Sequence, residues 1–273
     1  LVIGVGIGEH FVASDSAALL PVTQQFRYLE EGDVAEIWRT GVQVLDRSGQ
    51  PVERPLRRSR LADETLDRGA YRHFMLKEIH EQPRVLAETL EGRLTADRVL
   101  PEMFGPDAET LFGQVRAVHL VACGTSYHAA LVARYWIEAL TGIPAVAEIA
   151  SEFRYRQPAV PADTLLVTLS QSGETADTLA ALRASRERPY LSRLAICNVP
   201  ESSLVRESDR VLMTRAGVEV GVASTKAFTT QLVALMLLTL CIGQAQSLAP
   251  EEVARIVTDL RSLPQQVERV LAL

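Results

Sequence analysis

A run of hydroxyl, amide and glycine residues lies where a predicted buried strand (165–169) gives way to a predicted helix (175–186). The run consists of Ser170, Gln171, Ser172, Gly173, Glu174 and Thr175. A helix that follows such a turn presents unpaired backbone N–H groups and the positive end of its dipole, which favour an anion, most often a phosphate. Ordinary capping is the alternative, because Ser and Thr begin many helices that bind nothing. Four hydroxyl or amide side chains exceed what a cap needs, so the pattern favours phosphate binding.

Two further stretches repeat this arrangement of glycine and hydroxyl residues before a helix. The first is Cys-Gly-Thr-Ser at 123–126, which follows an apolar strand. Cys123 is interpreted there as a small buried filler and not as a nucleophile, because no base accompanies it. The second is the segment 219–226, for which a capped helix entry with Lys226 exposed is the alternative.

Strands and helices alternate from residue 115 to the end of the chain. Apolar and β-branched runs predict strands at 115–122, 145–149, 165–169, 194–198 and 210–213, and helices at 126–140, 175–186, 224–242 and 250–271. This order predicts an α/β fold, a doubly wound parallel sheet flanked by helices. Ligands of such sheets bind at the carboxyl ends of the strands, so the segments 123–126 and 170–175 are expected to converge on one phosphorylated ligand.

The residues before the sheet follow other patterns. Residues 1–52 are short apolar runs separated by turn residues, which predicts a β-rich segment with hairpins. The glycines at 4, 6 and 8 lack the spacing of a dinucleotide-binding loop. Residues 55–68 are polar and Arg-rich, and we expect a linker there. Residues 71–105 have helical spacing with an expected interruption at Pro83.

Composition and residue counts narrow the function classes. The 273 residues carry a net charge of −6 without a basic run, which argues against nucleic-acid binding. Three Cys residues are too few for a disulfide framework and favour a reducing compartment. Neither they nor His73 and His80 have partners at metal-ligand spacing, so no metal is expected.

The apolar stretch 231–242 is too short for a membrane span and predicts a buried helix. Because the chain opens on Leu1, within a strand-like run, we expect an excerpt of a longer polypeptide.

Four motifs resemble the family of isomerizing glutamine–fructose-6-phosphate aminotransferases, the glucosamine-6-phosphate synthases. They are Cys-Gly-Thr-Ser at 123–126, Glu-Ile-Ala-Ser-Glu-Phe-Arg-Tyr-Arg at 148–156, Ser-Gln-Ser-Gly-Glu-Thr-Ala-Asp-Thr at 170–178 and Gly-Val-Ala-Ser-Thr-Lys-Ala-Phe-Thr at 221–229. The resemblance extends over nearly the whole chain. It implies the following division: 1–62, the C-terminal part of a glutaminase domain (glutamine amidotransferase type 2) of the N-terminal-nucleophile fold; 63–108, a linker and helical lead-in; 109–248, the first sugar-isomerase (SIS) domain; and 249–273, a helix leading to a second SIS domain.

The same resemblance implies the site residues. A sugar phosphate would be held by Ser126, Ser170, Gln171, Ser172 and Thr175, and the sugar would be lined by Thr125, Val222 and Ser224. The family's catalytic Cys would lie before Leu1, and its acid/base Glu, ring-opening His and Schiff-base Lys beyond Leu273. We therefore expect no catalytic residue within the chain and only supporting roles for Glu174 and Glu219.

The implied function is that of the central part of an enzyme that makes glucosamine 6-phosphate and glutamate from fructose 6-phosphate and glutamine. Glutamine would bind in the upstream part, no cofactor is implied, and a cytoplasmic homodimer without nucleic-acid or membrane partners is expected. One alternative is a non-catalytic SIS-domain sensor of sugar phosphates, which should carry a basic DNA-binding neighbour and not a β-rich segment. A stand-alone sugar-phosphate isomerase is a third possibility, weakened by the same segment.

Overall fold

The computed structural model describes residues 1–14, 16–58 and 68–273, which fall into two compact units, Leu1–Gly69 and Ala70–Leu273. The first unit contains two antiparallel sheets, with strand orders β2-β1-β3-β7 and β4-β5-β6. Its strands are β1 (Val2–Val5), β2 (His10–Ala13), β3 (Gln25–Tyr28), β4 (Val34–Trp38), β5 (Gly41–Leu45), β6 (Pro51–Val52) and β7 (Leu56–Arg58). Val2, Leu20 and Phe26 form its core. The prediction of a β-rich N-terminal segment is confirmed.

The predicted linker at 55–68 begins too early. Residues Leu56–Arg58 form an edge strand that pairs with β3, with Leu56 opposite Arg27. Arg54, just before it, donates to Asp33 from two guanidinium nitrogens at 2.8 Å each. The strand was missed because all three of its side chains are exposed, which leaves no apolar alternation to detect. Residues 59–67 of the predicted linker lie outside the described part of the chain.

The second unit is built on a parallel sheet of five strands in the order β12-β11-β10-β8-β9. The strands are β8 (Ala117–Ala122), β9 (Ala145–Ile149), β10 (Thr164–Ser170), β11 (Ser192–Cys197) and β12 (Arg210–Met213). The helices are α1 (Phe74–Leu90), α2 (Ala108–Gln114), α3 (Gly124–Thr141), α4 (Ala150–Phe153), α5 (Ala176–Ala184), α6 (Ser203–Glu207), α7 (Lys226–Gln244) and α8 (Pro250–Leu271). The predicted parallel sheet flanked by helices is confirmed, with element ends shifted by a few residues.

Both faces of this sheet are covered, because successive side chains of a strand point to opposite faces. On β8, Leu120 belongs to the core cluster that also contains residues of α1, α2, α3, α7 and α8, while Val121 belongs to the cluster with residues of α4, α5 and α6. The same alternation holds on β10, where Leu165 and Leu166 belong to opposite cores. A sheet buried on both faces has mostly apolar strands, and the buried polar residues of β8 and β10, such as His119, are exceptions.

Helix α1 continues through Pro83, where an interruption was expected. Proline lacks the N–H that would donate to the carbonyl of Ile79 four residues earlier. The side-chain amide of Gln82 donates to that carbonyl at 3.0 Å instead. The helix then packs against both α7 and α8, which holds it in place beyond the proline.

Helix α7 forms the centre of the larger core, as the apolar stretch 231–242 predicted. Among the described residues it is the one helix whose length and composition would suffice to cross a membrane. However, 72% of its most apolar window is buried inside the unit. That burial is what a central core helix shows.

Candidate functional site

The carboxyl edge of the parallel sheet has a point at which the direction of winding reverses. After β8 the chain crosses to β9 on one side, and it then returns to β10 on the other side of β8. Ligands of open α/β sheets bind at such a switch point. Strands β8 and β10 pair in parallel, with Leu169 opposite Ala122, so the segments 123–126 and 170–175 leave the sheet side by side. We call residues 170–175 the hydroxyl loop.

The hydroxyl loop uses two of its three hydroxyl groups to fix its own backbone. Ser170 Oγ accepts the N–H of Gly173 at 2.9 Å, and Ser172 Oγ accepts the N–H of Glu174 at 3.2 Å. Thr175 occupies the N-cap position of α5, yet its side chain does not cap the helix. Its Oγ1 instead lies 3.0 Å from Ser170 Oγ. Ordinary helix capping therefore does not explain why these hydroxyl residues are present. The N–H groups in the first turn of α5 do not donate to the side chain of the N-cap residue.

Gly173 fits its place only as glycine. Its φ of +67° lies in the left-handed region, which glycine adopts at no steric cost. A Cβ at this position would lie 2.5 Å from Ser202 Cβ and 2.8 Å from Cys197 Sγ. Burial raises the pKa of the Cys197 thiol, despite a hydrogen bond with Ser202 that lowers it. A buried thiol with a raised pKa is unreactive, so Cys197 packs beneath the loop as a structural residue.

The neighbouring segment, 123–126, presents a second helix N-terminus without a side-chain cap, that of α3. Thr125 is exposed and Ser126 is buried. Ser126 Oγ accepts a hydrogen bond at 3.0 Å from Gln231 Nε2 on α7. Cys123 is half-buried and packs against the smaller core, in agreement with the interpretation as a filler.

The third segment, residues 219–225, is built in a different way, and we call it the anchored loop. The Glu219 carboxylate accepts the backbone N–H groups of Thr225 at 2.9 Å and Ala227 at 3.1 Å, and the Ser224 hydroxyl at 3.1 Å. The N-terminus of α7 is thus occupied by an internal carboxylate. Val222 is fully exposed at the tip of the loop. The supporting role expected for Glu219 agrees with these contacts.

The alternative for the segment 219–226, in which Lys226 is exposed, is wrong. Its side chain is 3% exposed, and its Nζ lies 2.7 Å from Glu81 Oε2 on α1. A buried ammonium needs a charged partner to offset its lost hydration, and Glu81 supplies it. Lys226 directly follows a pair of hydroxyl residues, a pattern that is typical of a solvent-exposed helix start. In the structure, the packing of α1 buries its side chain.

Asn198 joins the hydroxyl loop to the segment that leads into the anchored loop. Its backbone N–H donates to the carbonyl of Gln171 at 3.3 Å. Its side-chain amide donates to Gly217 O at 2.6 Å and accepts from Ala216 N–H at 2.7 Å. Asn198, which follows β11, therefore bonds both the hydroxyl loop and the residues just before the anchored loop. The carboxylate of Glu174 accepts the N–H of Ser203 at 2.7 Å, so its contact in the structure is with the protein backbone.

The motif at 148–156 forms a closed polar network on the smaller core. Glu148 accepts from His119 Nε2 at 2.6 Å and forms an ion pair with Arg156. Burial outweighs the carboxylate and lowers the pKa of His119, and burial also raises the pKa of Tyr190 to about 12. A neutral His119 then donates from Nε2 to Glu148 and accepts the Tyr190 hydroxyl at Nδ1, 2.9 Å away.

Sequence reasoning missed the groups that support the site from other elements: Glu78, Glu81, Asn198 and Gln231. The sequence could have indicated the burial of Glu78. It lies seven and eleven residues before Val85 and Thr89, so the three residues share one face of α1, and that face is buried. A carboxylate on an apolar stripe requires a specific partner. The other three carry no such signal, since their partners lie on distant elements.

The site residues implied by the resemblance fall into three groups in the structure. Ser126, Ser170, Gln171, Ser172 and Thr175 lie on the two adjoining loops at the switch point, Thr125 is exposed beside them, and Val222 and Ser224 lie on the anchored loop. Among the described residues no group of His, Cys, Asp and Glu has a geometry that could hold a metal ion. The arrangement at the two adjoining loops offers N–H and O–H donors to an anion.

The part of the chain that contains this site matches a known protein family. Residues 111–241 match the SIS domain family. The parallel-sheet unit contains a SIS domain. Over the whole chain, sequence identity is 61% to the isomerizing glutamine–fructose-6-phosphate aminotransferase of Pseudomonas aeruginosa and 56% to that of Vibrio cholerae. The chain spans 45% of the length of each. It is a relative, from end to end, of part of these aminotransferases.

Solved structures agree with this placement of the SIS domain. The C-terminal domain of glucosamine-fructose-6-phosphate aminotransferase from Francisella tularensis superimposes with a TM-score of 0.71 at 48% identity, over 73% of this chain and 56% of that one. Glucosamine-6-phosphate deaminase from Thermotoga maritima gives 0.53 at 27% identity, over 68% and 53%. Both comparisons support the phosphosugar-isomerase fold.

Proposed function

We propose that this chain is the sugar-phosphate-binding part of an isomerizing glutamine–fructose-6-phosphate aminotransferase. The observation that carries the proposal is the pair of uncapped helix N-termini, α3 and α5, side by side at the switch point of the sheet. Their N–H groups and the hydroxyls of Ser126, Ser172 and Thr175 would surround a phosphate. The identity to the named relatives supports fructose 6-phosphate as the ligand.

In the proposed reaction, ammonia released from glutamine condenses with the ketone of an open-chain ketose phosphate with loss of water, and proton transfer from C1 to C2 of the resulting imine then yields the amino aldose. This chain's share is binding: the hydroxyl loop fixes the phosphate end, and the anchored loop with Val222 and Ser224 bounds the sugar. A ligand fixed at its phosphate presents its carbonyl end at a defined distance from that anchor, which is the positioning that a proton-transfer step requires. Glucosamine 6-phosphate would leave from the same position.

The test is the double substitution Ser172→Ala with Thr175→Ala in the intact protein. Each hydroxyl contributes a charge-assisted hydrogen bond worth roughly 1.5–3 kcal/mol, so we expect fructose 6-phosphate affinity to fall at least ~100-fold in calorimetry. The matched control is Thr258→Ala with Ser262→Ala on α8, where both hydroxyls donate to backbone carbonyls of their own helix. Unchanged affinity in the loop variant would refute the assignment.

A sensor without catalysis is the second candidate function, since no catalytic residue is expected within this chain. The β-rich first unit and the net charge of −6 favour the enzyme instead. We further propose a cytoplasmic homodimer, and the three free cysteines favour a reducing compartment. Light scattering on the intact protein measures the assembly, and a sugar phosphate bound without turnover of glutamine would favour the sensor.

A further inference from the structure

The anchored loop is held from outside by helix α1, which belongs to none of the sugar-lining segments. Glu78 on α1 is 2% exposed, and its Oε1 accepts the backbone N–H groups of Val220 at 2.6 Å and Gly221 at 3.0 Å. Its Oε2 is buried without a hydrogen-bond partner among the described residues. Burying a carboxylate with one oxygen unpaired costs free energy. Stability alone therefore does not explain why a glutamate occupies position 78.

The unpaired oxygen occupies the space of a missing side chain. A Cβ built on Gly221 would lie 2.5 Å from Glu78 Oε2. The carboxylate therefore contacts the loop in two ways: one oxygen fixes two N–H groups, and the other fills the volume behind Gly221. A change at either residue moves the backbone that leads directly into Val222.

A second contact from α1 fixes the far end of the same loop. One turn after Glu78, Glu81 forms the buried ion pair with Lys226, the first residue of α7. Lys77 lies 3.7 Å from the other oxygen of Glu81. The four residues between the two attachment points, 222–225, include both sugar-lining positions, Val222 and Ser224.

We infer that Glu78 is a positioning residue that sets the sugar-facing wall of the site, and thereby discriminates a sugar phosphate from phosphate alone. This inference rests on the proposed function. The hydroxyl loop bonds to Asn198 after β11 and to Ser203 on α6, whereas the N–H groups of the anchored loop at residues 220 and 221 are held by α1. Loss of Glu78 should therefore disturb the sugar wall and leave the phosphate end in place.

The experiment compares two probes, fructose 6-phosphate and inorganic phosphate, on Glu78→Ala in the intact protein. We expect fructose 6-phosphate affinity to fall at least ~10-fold, and KM to rise by the same factor with a smaller change in kcat, while phosphate affinity stays within ~2-fold. Glu78→Gln keeps an oxygen for the two N–H groups and should restore affinity to within ~3-fold. Glu88→Ala is the control, since this carboxylate on the same helix pairs with Arg84 at the surface.

The outcomes separate the inference from the proposed function. If the unaltered protein does not bind fructose 6-phosphate, the proposed function fails. If it binds and Glu78→Ala binds equally well, or loses both probes equally while folded, the inference is overturned. Should Glu78→Ala not fold, Gly221→Ala displaces the same backbone from the opposite side. That variant must then show the same selective loss of fructose 6-phosphate for the inference to stand.

Discussion

The hydroxyl loop and the anchored loop look alike in sequence, since each places glycine and hydroxyl residues before a helix, but they differ in where their hydrogen bonds go. In the hydroxyl loop, no side chain caps α5. At the anchored loop, Glu219 accepts N–H groups at the start of α7, and Glu78 accepts the N–H groups of Val220 and Gly221 in the loop itself. A helix N-terminus already filled by a carboxylate repels an anion. Of these two loops, only the first is suited to a phosphate, and the second is suited to form a wall.

This difference predicts that substitutions in the two loops have different consequences for stability. The largest effect is expected at Gly173, where alanine adds left-handed strain to a collision with Ser202 and Cys197. We expect Gly173→Ala to lower the free energy of unfolding by about 3 kcal/mol. The control is Gly142→Ala, with a φ of +69° and no atom within 4 Å, which should cost roughly 1 kcal/mol. Urea denaturation measures both, and equal losses would show that the close packing at Gly173 contributes nothing.

A smaller loss is expected when the internal carboxylate of the anchored loop is neutralised. Glu219→Gln keeps the shape of the side chain but weakens charge-assisted bonds to Thr225, Ala227 and Ser224, for an expected loss of about 2 kcal/mol. Glu174→Gln, in the hydroxyl loop, removes charge from a single exposed contact and should cost under ~1 kcal/mol. Thermal unfolding at pH 7 ranks the two, and the reverse order would contradict the comparison.

The smallest effect is a change in pH dependence at the closed network of His119. Because burial lowers the pKa of His119 in the folded chain, the unfolded chain takes up a proton first, and stability declines as pH falls below about 6.5. His119→Gln removes that group, so the melting temperature should fall less between pH 7 and pH 5. His73→Gln, an exposed position, is the control. If the melting temperature of His119→Gln fell as much between pH 7 and pH 5 as that of the unaltered protein, a group other than His119 would be responsible for the pH sensitivity.

The sequence alone was sufficient for the parallel sheet and the hydroxyl loop, because their signals are local. Residues 165–175 contain the strand, the glycine and the hydroxyls in one continuous run. Lys226 and Glu78 could not be placed in the same way. Whether a charged side chain is buried depends on its partner, and the partners of these two lie 145 and 142 residues away. The strand at Leu56–Arg58 was missed for a related reason, since backbone pairing at an exposed edge leaves no mark on side-chain type.

The attachment of α1 to the anchored loop also bears on how the chain acquires its site during synthesis. Helix α1 emerges from the ribosome well before Val220 and Lys226, so the carboxylates of Glu78 and Glu81 do not have the N–H donors of these residues to accept from until the chain beyond the last strand has been made. Contacts between residues so distant along the chain slow folding. The strands of the sheet and the hydroxyl loop are thus synthesised before the residues that α1 holds in the anchored loop. A protein trimmed to the matched residues 111–241 would retain the former and lose the helix that shapes the latter.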